Sequence, residues 1–139
     1  LKPGDELIIE DPFGTISYKG KGVFIAGGAG VTPFIAISRQ LKKENKLDGN
    51  TLIFSNKKKE DILFEKELVD MFKENLVLVL TEEKKKGYEY GKINKKFLKD
   101  RIKDFGQHFY ICGPPFFVKD IKNSLLELGA EEDFIITEK

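Results

Sequence analysis

The sequence predicts an α/β fold, a Rossmann-like doubly wound parallel sheet of about five strands, and three observations carry that prediction. Short apolar runs alternate with longer helical patterns along most of the chain. The runs are continuous rather than alternating, as strands covered on both faces by helices require. A glycine-rich turn, Gly27-Gly28-Ala29-Gly30, stands between the first such run and the helical pattern after it. Right-handed crossovers between parallel strands then place ligands at the strands' carboxyl ends, near the switch in strand order.

Taken in order, Leu1-Lys2-Pro3-Gly4-Asp5-Glu6 reads as a turn entering the strand Leu7-Ile8-Ile9. The turn Asp11-Pro12-Phe13-Gly14 joins it to Ile16-Ser17-Tyr18 with no helix between, so these strands stand outside the α/β rhythm. The chain divides there, into residues 1–21 and a domain at 22–139. Strands are expected at 22–26, 51–54, 76–80, 108–112 and 134–136, with helices at 35–43, 64–72, 94–101 and 116–128. The triplets Lys57-Lys58-Lys59 and Lys84-Lys85-Lys86 read as solvated turns.

Composition excludes several classes of function. Lys and Arg number 24 against 23 Asp and Glu, a net charge of +1, so the electrostatic footprint of a nucleic-acid binder is missing. Hydrophobic residues at 40% and charged residues at 34% suit a globular domain. No apolar run approaches the roughly 18 residues of a membrane span. The single cysteine, Cys112, allows no internal disulfide and no four-thiolate metal site, which favours a reducing, cytoplasmic location. The single histidine, His108, leaves a His-based metal site or a Ser-His-Asp triad short of parts, and no metal is expected.

The segment Gly27-Gly28-Ala29-Gly30-Val31-Thr32-Pro33 is the most informative. Its glycines permit a sharp turn and close backbone approach, Thr32 is placed to cap the helix, and Pro33 suits the first helical position. The helix's N–H groups and positive dipole end then face the carboxyl edge, an anion site. Pro33 stands where a third glycine of G-x-G-x-x-G would be, and no P-loop motif occurs, so a P-loop kinase or GTPase is disfavoured. His108-Phe109-Tyr110-Ile111-Cys112 runs into Gly113-Pro114-Pro115, which puts Cys112 at the same edge. Read alone, Cys112 fits a small buried hydrophobe at a strand end better than a site residue. A covalent role is poorly supported, because His108 lies four residues earlier on the same strand, about 13 Å away.

Together, the glycine segment followed by Arg39 and the Cys112-Gly113-Pro114-Pro115 motif resemble the pyridine-nucleotide domain of ferredoxin–NADP reductase-like flavoenzymes. Glu60-Asp61-Ile62-Leu63-Phe64 is similar to the segment after the family's second strand, and residues 1–21 resemble the C-terminal end of its FAD-binding β-barrel. The resemblance implies NAD(P)H-dependent flavoprotein oxidoreductase activity, with hydride transfer to FAD and electrons passed on to a carrier or oxygenase partner. It places Gly27, Gly28, Gly30, Val31, Thr32 and Pro33 along the pyrophosphate and nicotinamide ribose. Cys112, Gly113 and Pro114 would border the nicotinamide, which makes Cys112 and Thr32 the residues implied at the catalytic end. Ser55, Asn56 and Lys57 would meet the adenosine, with Pro115 and Phe116 beside it, and Lys57 without a strand-end carboxylate favours NADPH. Implied partners are a ferredoxin, flavodoxin or oxygenase component and the remainder of the FAD-binding barrel. The family's Arg-x-Tyr-Ser/Thr flavin segment has no match, so this chain alone is expected to lack FAD. The competing class is a nucleotide-binding regulatory or sensor module without redox activity, which fold alone does not separate.

Overall fold

The computed structural model describes residues 7–11 and 14–138; the expected turns at 1–6 and 12–13, and Lys139, lie outside the described residues. Strands β1 (Leu7–Asp11) and β2 (Gly14–Tyr18) form a separate antiparallel pair, with Leu7 opposite Tyr18. The chain continues through β3 (Gly22–Gly27), α1 (Thr32–Lys43), β4 (Thr51–Asn56), α2 (Glu65–Phe72) and β5 (Leu76–Leu80). It ends with β6 (Glu89–Tyr90), α3 (Lys95–Arg101), β7 (His108–Cys112), α4 (Pro115–Glu127) and β8 (Ile135–Thr137).

These strands make one sheet in the order β6-β5-β4-β3-β7-β8, parallel throughout. The expected five strands are present, and a sixth, β6, pairs with Val79 and Leu80 of β5 at the edge. Two residues are too few to leave a periodic signal in sequence.

Continuous apolar strands appear because both faces are covered. From β3, Phe24 and Ala26 pack with Leu52, Phe54 and Tyr110 beneath α1 and α2, whose inward residues include Phe34, Ile37, Leu41, Leu68 and Phe72. Val23 and Ile25 join Ile53, Phe109 and Ile111 on the other face, beneath Leu98 of α3 and Ile121 and Leu125 of α4. All six residues of β3 are buried. Helix α3 starts at Asn94, whose side-chain oxygen accepts from Phe97 N–H at 2.9 Å.

The start of α1 differs from the expectation. A single 3₁₀ turn, Gly28–Val31, precedes the helix, Val31 is its N-cap, and no side chain caps it. Thr32 is therefore the first helical residue, with Pro33 second, and its hydroxyl donates to the Ala29 carbonyl at 2.9 Å.

Two buried polar groups tie the β2–β3 connection to the parallel sheet. The Tyr110 hydroxyl accepts from the N–H groups of Lys19 and Gly20 at 2.9 and 3.0 Å and donates to the Gly20 carbonyl at 2.7 Å. Asn50 Oδ1 accepts from Gly22 N–H at 3.0 Å and from the Tyr18 hydroxyl at 3.3 Å, while its Nδ2 donates to the Leu47 carbonyl at 3.0 Å.

Candidate functional site

From β3 the chain steps outward through β4 and β5 to β6, then returns to β7 on the opposite side of β3. The carboxyl ends of β3 and β7 therefore flank the point where strand order reverses, the ligand crevice of open α/β sheets. The sequence has put its two glycine-bearing loops there. Gly28 has φ +56°, a left-handed conformation natural to glycine, and a Cβ on it would meet nothing within 4 Å. Gly30 serves a different need: its Cβ would lie 2.4 Å from the Cys112 carbonyl oxygen and 2.7 Å from Gly113 N, so the two loops touch backbone to backbone.

A cavity of about 660 Å³ opens at this crevice. Gly27, Gly28 and Gly30 form one wall, Ser55, Asn56 and Lys57 at the end of β4 a second, and Gly113, Pro114, Pro115 and Phe116 a third. Val31, Thr32, Pro33 and Cys112, also singled out from the sequence, are not on its surface. Val31 and Cys112 are fully buried, Pro33 is buried, and the Thr32 hydroxyl turns back to the loop. A larger hollow of about 880 Å³ between α1 and α2 is bordered by charged side chains such as Arg39, Lys42, Glu67 and Asp70. It meets neither the glycine turn nor a strand end, so the smaller cavity is the candidate site.

The walls also include Ala29, Asp61, Thr81, Phe117 and Glu138, which sequence reasoning did not place there. Thr81 directly follows β5, and the carboxyl-edge rule applied to that strand would have found it. Asp61 follows β4 by five residues, and its placement depends on a loop in which Lys58 N–H donates to Asp61 Oδ2 at 3.2 Å. Glu138 lies just past β8, where its carboxylate accepts from the Cys112 thiol.

That contact seals the thiol beneath the cavity. Native protein is expected to leave Cys112 silent toward a disulfide-exchange thiol reagent, with one equivalent released after unfolding in denaturant. Rapid labelling of folded protein would show that the thiol opens to the cavity.

Chemically the site asks for acceptors and anions. Asn56 is buried, at 7% exposure, and its Nδ2 has no hydrogen-bond partner among the described residues. Helix α1 points its uncapped N-terminus at the crevice, with no acidic residue in its first turn and Lys42 and Lys43 in its last. A side-chain-free glycine wall, an orphaned amide donor and the positive dipole end of α1 behind the glycine turn fit a dinucleotide's pyrophosphate and ribose. No group of three or more metal-ligating side chains among the described residues could hold a metal ion. No helix among them is long and apolar enough to cross a membrane.

Comparison with known proteins agrees with the crevice. The family model for the oxidoreductase NAD-binding domain matches residues 24–123, and the chain belongs to that family. It is the NAD(P)-binding domain type of ferredoxin–NADP reductase-like flavoenzymes. NADH-cytochrome b5 reductase 2 of Rattus norvegicus is 29% identical over 99% of this chain and 60% of its own length. One subunit of the Na(+)-translocating NADH-quinone reductase of Yersinia pestis is 27% identical over 98% of this chain and 37% of its own. The flavohem-like FAD/NAD-binding domain of nitric oxide dioxygenase from Vibrio cholerae superposes with TM-score 0.79 at 25% identity, over 97% of this chain and 54% of that one. The chain thus spans less than two-thirds of the length of each of these proteins.

Proposed function

We propose that this chain is the nucleotide-binding part of an NAD(P)H-dependent flavoprotein oxidoreductase that delivers electrons to a redox partner protein. The observation that carries the reading is the cavity at the β3–β7 switch, with backbone on one wall and the Asn56 donor on another. When nucleotide and flavin are bound, they supply hydride transfer from nicotinamide C4 to flavin N5. The residues of this chain hold the nucleotide. Gly28 leaves room for the pyrophosphate, the backbone of the Gly28–Gly30 turn and Asn56 offer donors, and Phe116, 72% exposed on the rim, offers a ring face to the adenine. Gly113 and Pro114 border the other end, above the buried Cys112–Glu138 contact. In this reading β1 and β2 belong to a flavin-binding barrel, which their separation from the parallel sheet supports.

Anaerobic addition of NADH to the flavin-loaded holoenzyme tests the proposal. Bleaching of the flavin band is the expected result, and nucleotide binding without bleaching would instead identify a sensor module.

The choice of nucleotide rests on two exposed side chains of opposite charge on the adenosine wall, Lys57 and Asp61. Lys57 alone argues for a 2′-phosphate. The carboxylate of Asp61 argues for a free ribose 2′-hydroxyl, and the two curated relatives are named for NADH. We propose NADH as the preferred donor. Each charge contributes about 1 kcal/mol at such an exposed position. Asp61→Ala is expected to strengthen NADPH binding about fivefold, and Lys57→Glu, which replaces an attraction by a similar repulsion, to weaken it roughly thirtyfold with NADH nearly unaffected. Isothermal titration with both nucleotides measures this. Equal losses for the two would place these side chains against the part that NADH and NADPH share.

A further inference from the structure

We propose that Arg39, outside the cavity, positions its adenosine wall by locking Phe64 in the left-handed conformation that ends the β4–α2 loop. The inference rests on the nucleotide site described above and adds to it a residue that touches no ligand.

The loop of residues 57–64 carries Lys57 and Asp61 to the cavity. Its first half is fastened locally. Asp61 Oδ2 accepts from Lys58 N–H at 3.2 Å, and Lys59 N–H donates to Glu83 Oε1 at 3.1 Å beyond β5. Its second half ends at Phe64, the residue before α2, with φ 57° and ψ 32°. A side chain with a Cβ is disfavoured there, so the conformation persists only where the surroundings hold it. Burial does not hold it, because Phe64 is 50% exposed.

Arg39 supplies the hold. Its Nε and Nη2 donate to the two carboxylate oxygens of Glu67 at 2.6 and 2.7 Å, a bidentate fork across α1 and α2. Its guanidinium carbon lies 5.4 Å from the centre of the Phe64 ring. One planar cation thus grips the first turn of α2 and covers the residue that leads into it, while Leu68 N–H donates to the Phe64 carbonyl at 2.9 Å. Lysine has neither the fork nor the flat face for both tasks. The ion pair is exposed, so its effect on global stability is small, and its consequence falls on the position of the loop.

Calorimetric titration with ADP-ribose tests the inference. Wild-type chain must bind first, because absence of binding there overturns the nucleotide-site reading itself. Arg39→Ala is expected to weaken binding about five- to tenfold while the melting temperature moves by only a few degrees. Phe64→Gly reaches the left-handed conformation without support. The double variant R39A/F64G is therefore expected to bind within about twofold of wild type. Unchanged affinity in Arg39→Ala overturns the proposal. A loss that Phe64→Gly does not rescue also overturns it, and assigns Arg39 to α1–α2 packing alone.

Discussion

Replacing Gly30 with alanine is expected to lower stability by about 3 kcal/mol or more and to abolish ADP-ribose binding. The added Cβ would stand 2.4 Å from the Cys112 carbonyl oxygen and 2.6 Å from its carbonyl carbon, where contacts between such atoms need more than 3 Å. Neither partner is a side chain that can swing aside. The glycine turn must move off β7, and it takes with it the wall of the cavity and the start of α1. Gly28→Ala, two residues away, separates this clash from ordinary glycine effects. Its Cβ meets nothing within 4 Å, so the cost is only that of a left-handed alanine, about 1 kcal/mol. The methyl group would project into the open space proposed for the pyrophosphate and weaken binding without unfolding the turn. Thermal melts and ADP-ribose calorimetry on both variants check the pair. Similar melting temperatures for Gly30→Ala and wild type would show that the β3 and β7 loops do not touch.

What was legible in the sequence follows from how each feature is encoded. A strand buried on both faces must be continuously apolar, so β3, β5 and β7 could be read directly, and the glycine turn and Gly113-Pro114-Pro115 marked the ends of two of them. Chain reversal between those strands then brought the two loops together. Features set by turn geometry or by distant partners were not legible. Thr32 has the composition of a cap, yet the 3₁₀ turn before α1 shifts it one place into the helix and directs its hydroxyl to Ala29. Asp61 lies on the cavity because its loop folds back on Lys58, a contact without periodic signature. Glu138 meets Cys112 across 26 residues, and Tyr110 meets Gly20 across 90. Such pairings are written only in the tertiary structure.

Tyr110→Phe keeps the ring in the core and removes one oxygen that serves three hydrogen bonds, so its expected cost is large for so small a change. The N–H groups of Lys19 and Gly20 lose their acceptor and the Gly20 carbonyl its donor. With partial access of water to that connection the loss is about 2 kcal/mol, or roughly 5–10 °C in melting temperature. The phenol also makes the effect depend on pH. Burial pushes the Tyr110 hydroxyl up to about 12 from its ordinary 10, although the two backbone N–H bonds favour the ionised form. The folded state therefore holds this proton more tightly than the unfolded state does. The contribution is fully present below about pH 10 and is lost as pH rises through about 12. Tyr18, raised in the same direction by burial, stacks on Tyr110, and its negative charge when ionised adds to the rise of the Tyr110 hydroxyl. The stability gap between wild type and Tyr110→Phe should be widest near neutral pH and narrow under alkaline conditions. Urea unfolding at about pH 8 and about pH 11 measures it. A gap that stays constant between those conditions would mean that the hydroxyl titrates as freely in the folded chain as in the unfolded one, and that its hold on Lys19 and Gly20 is broken in solution.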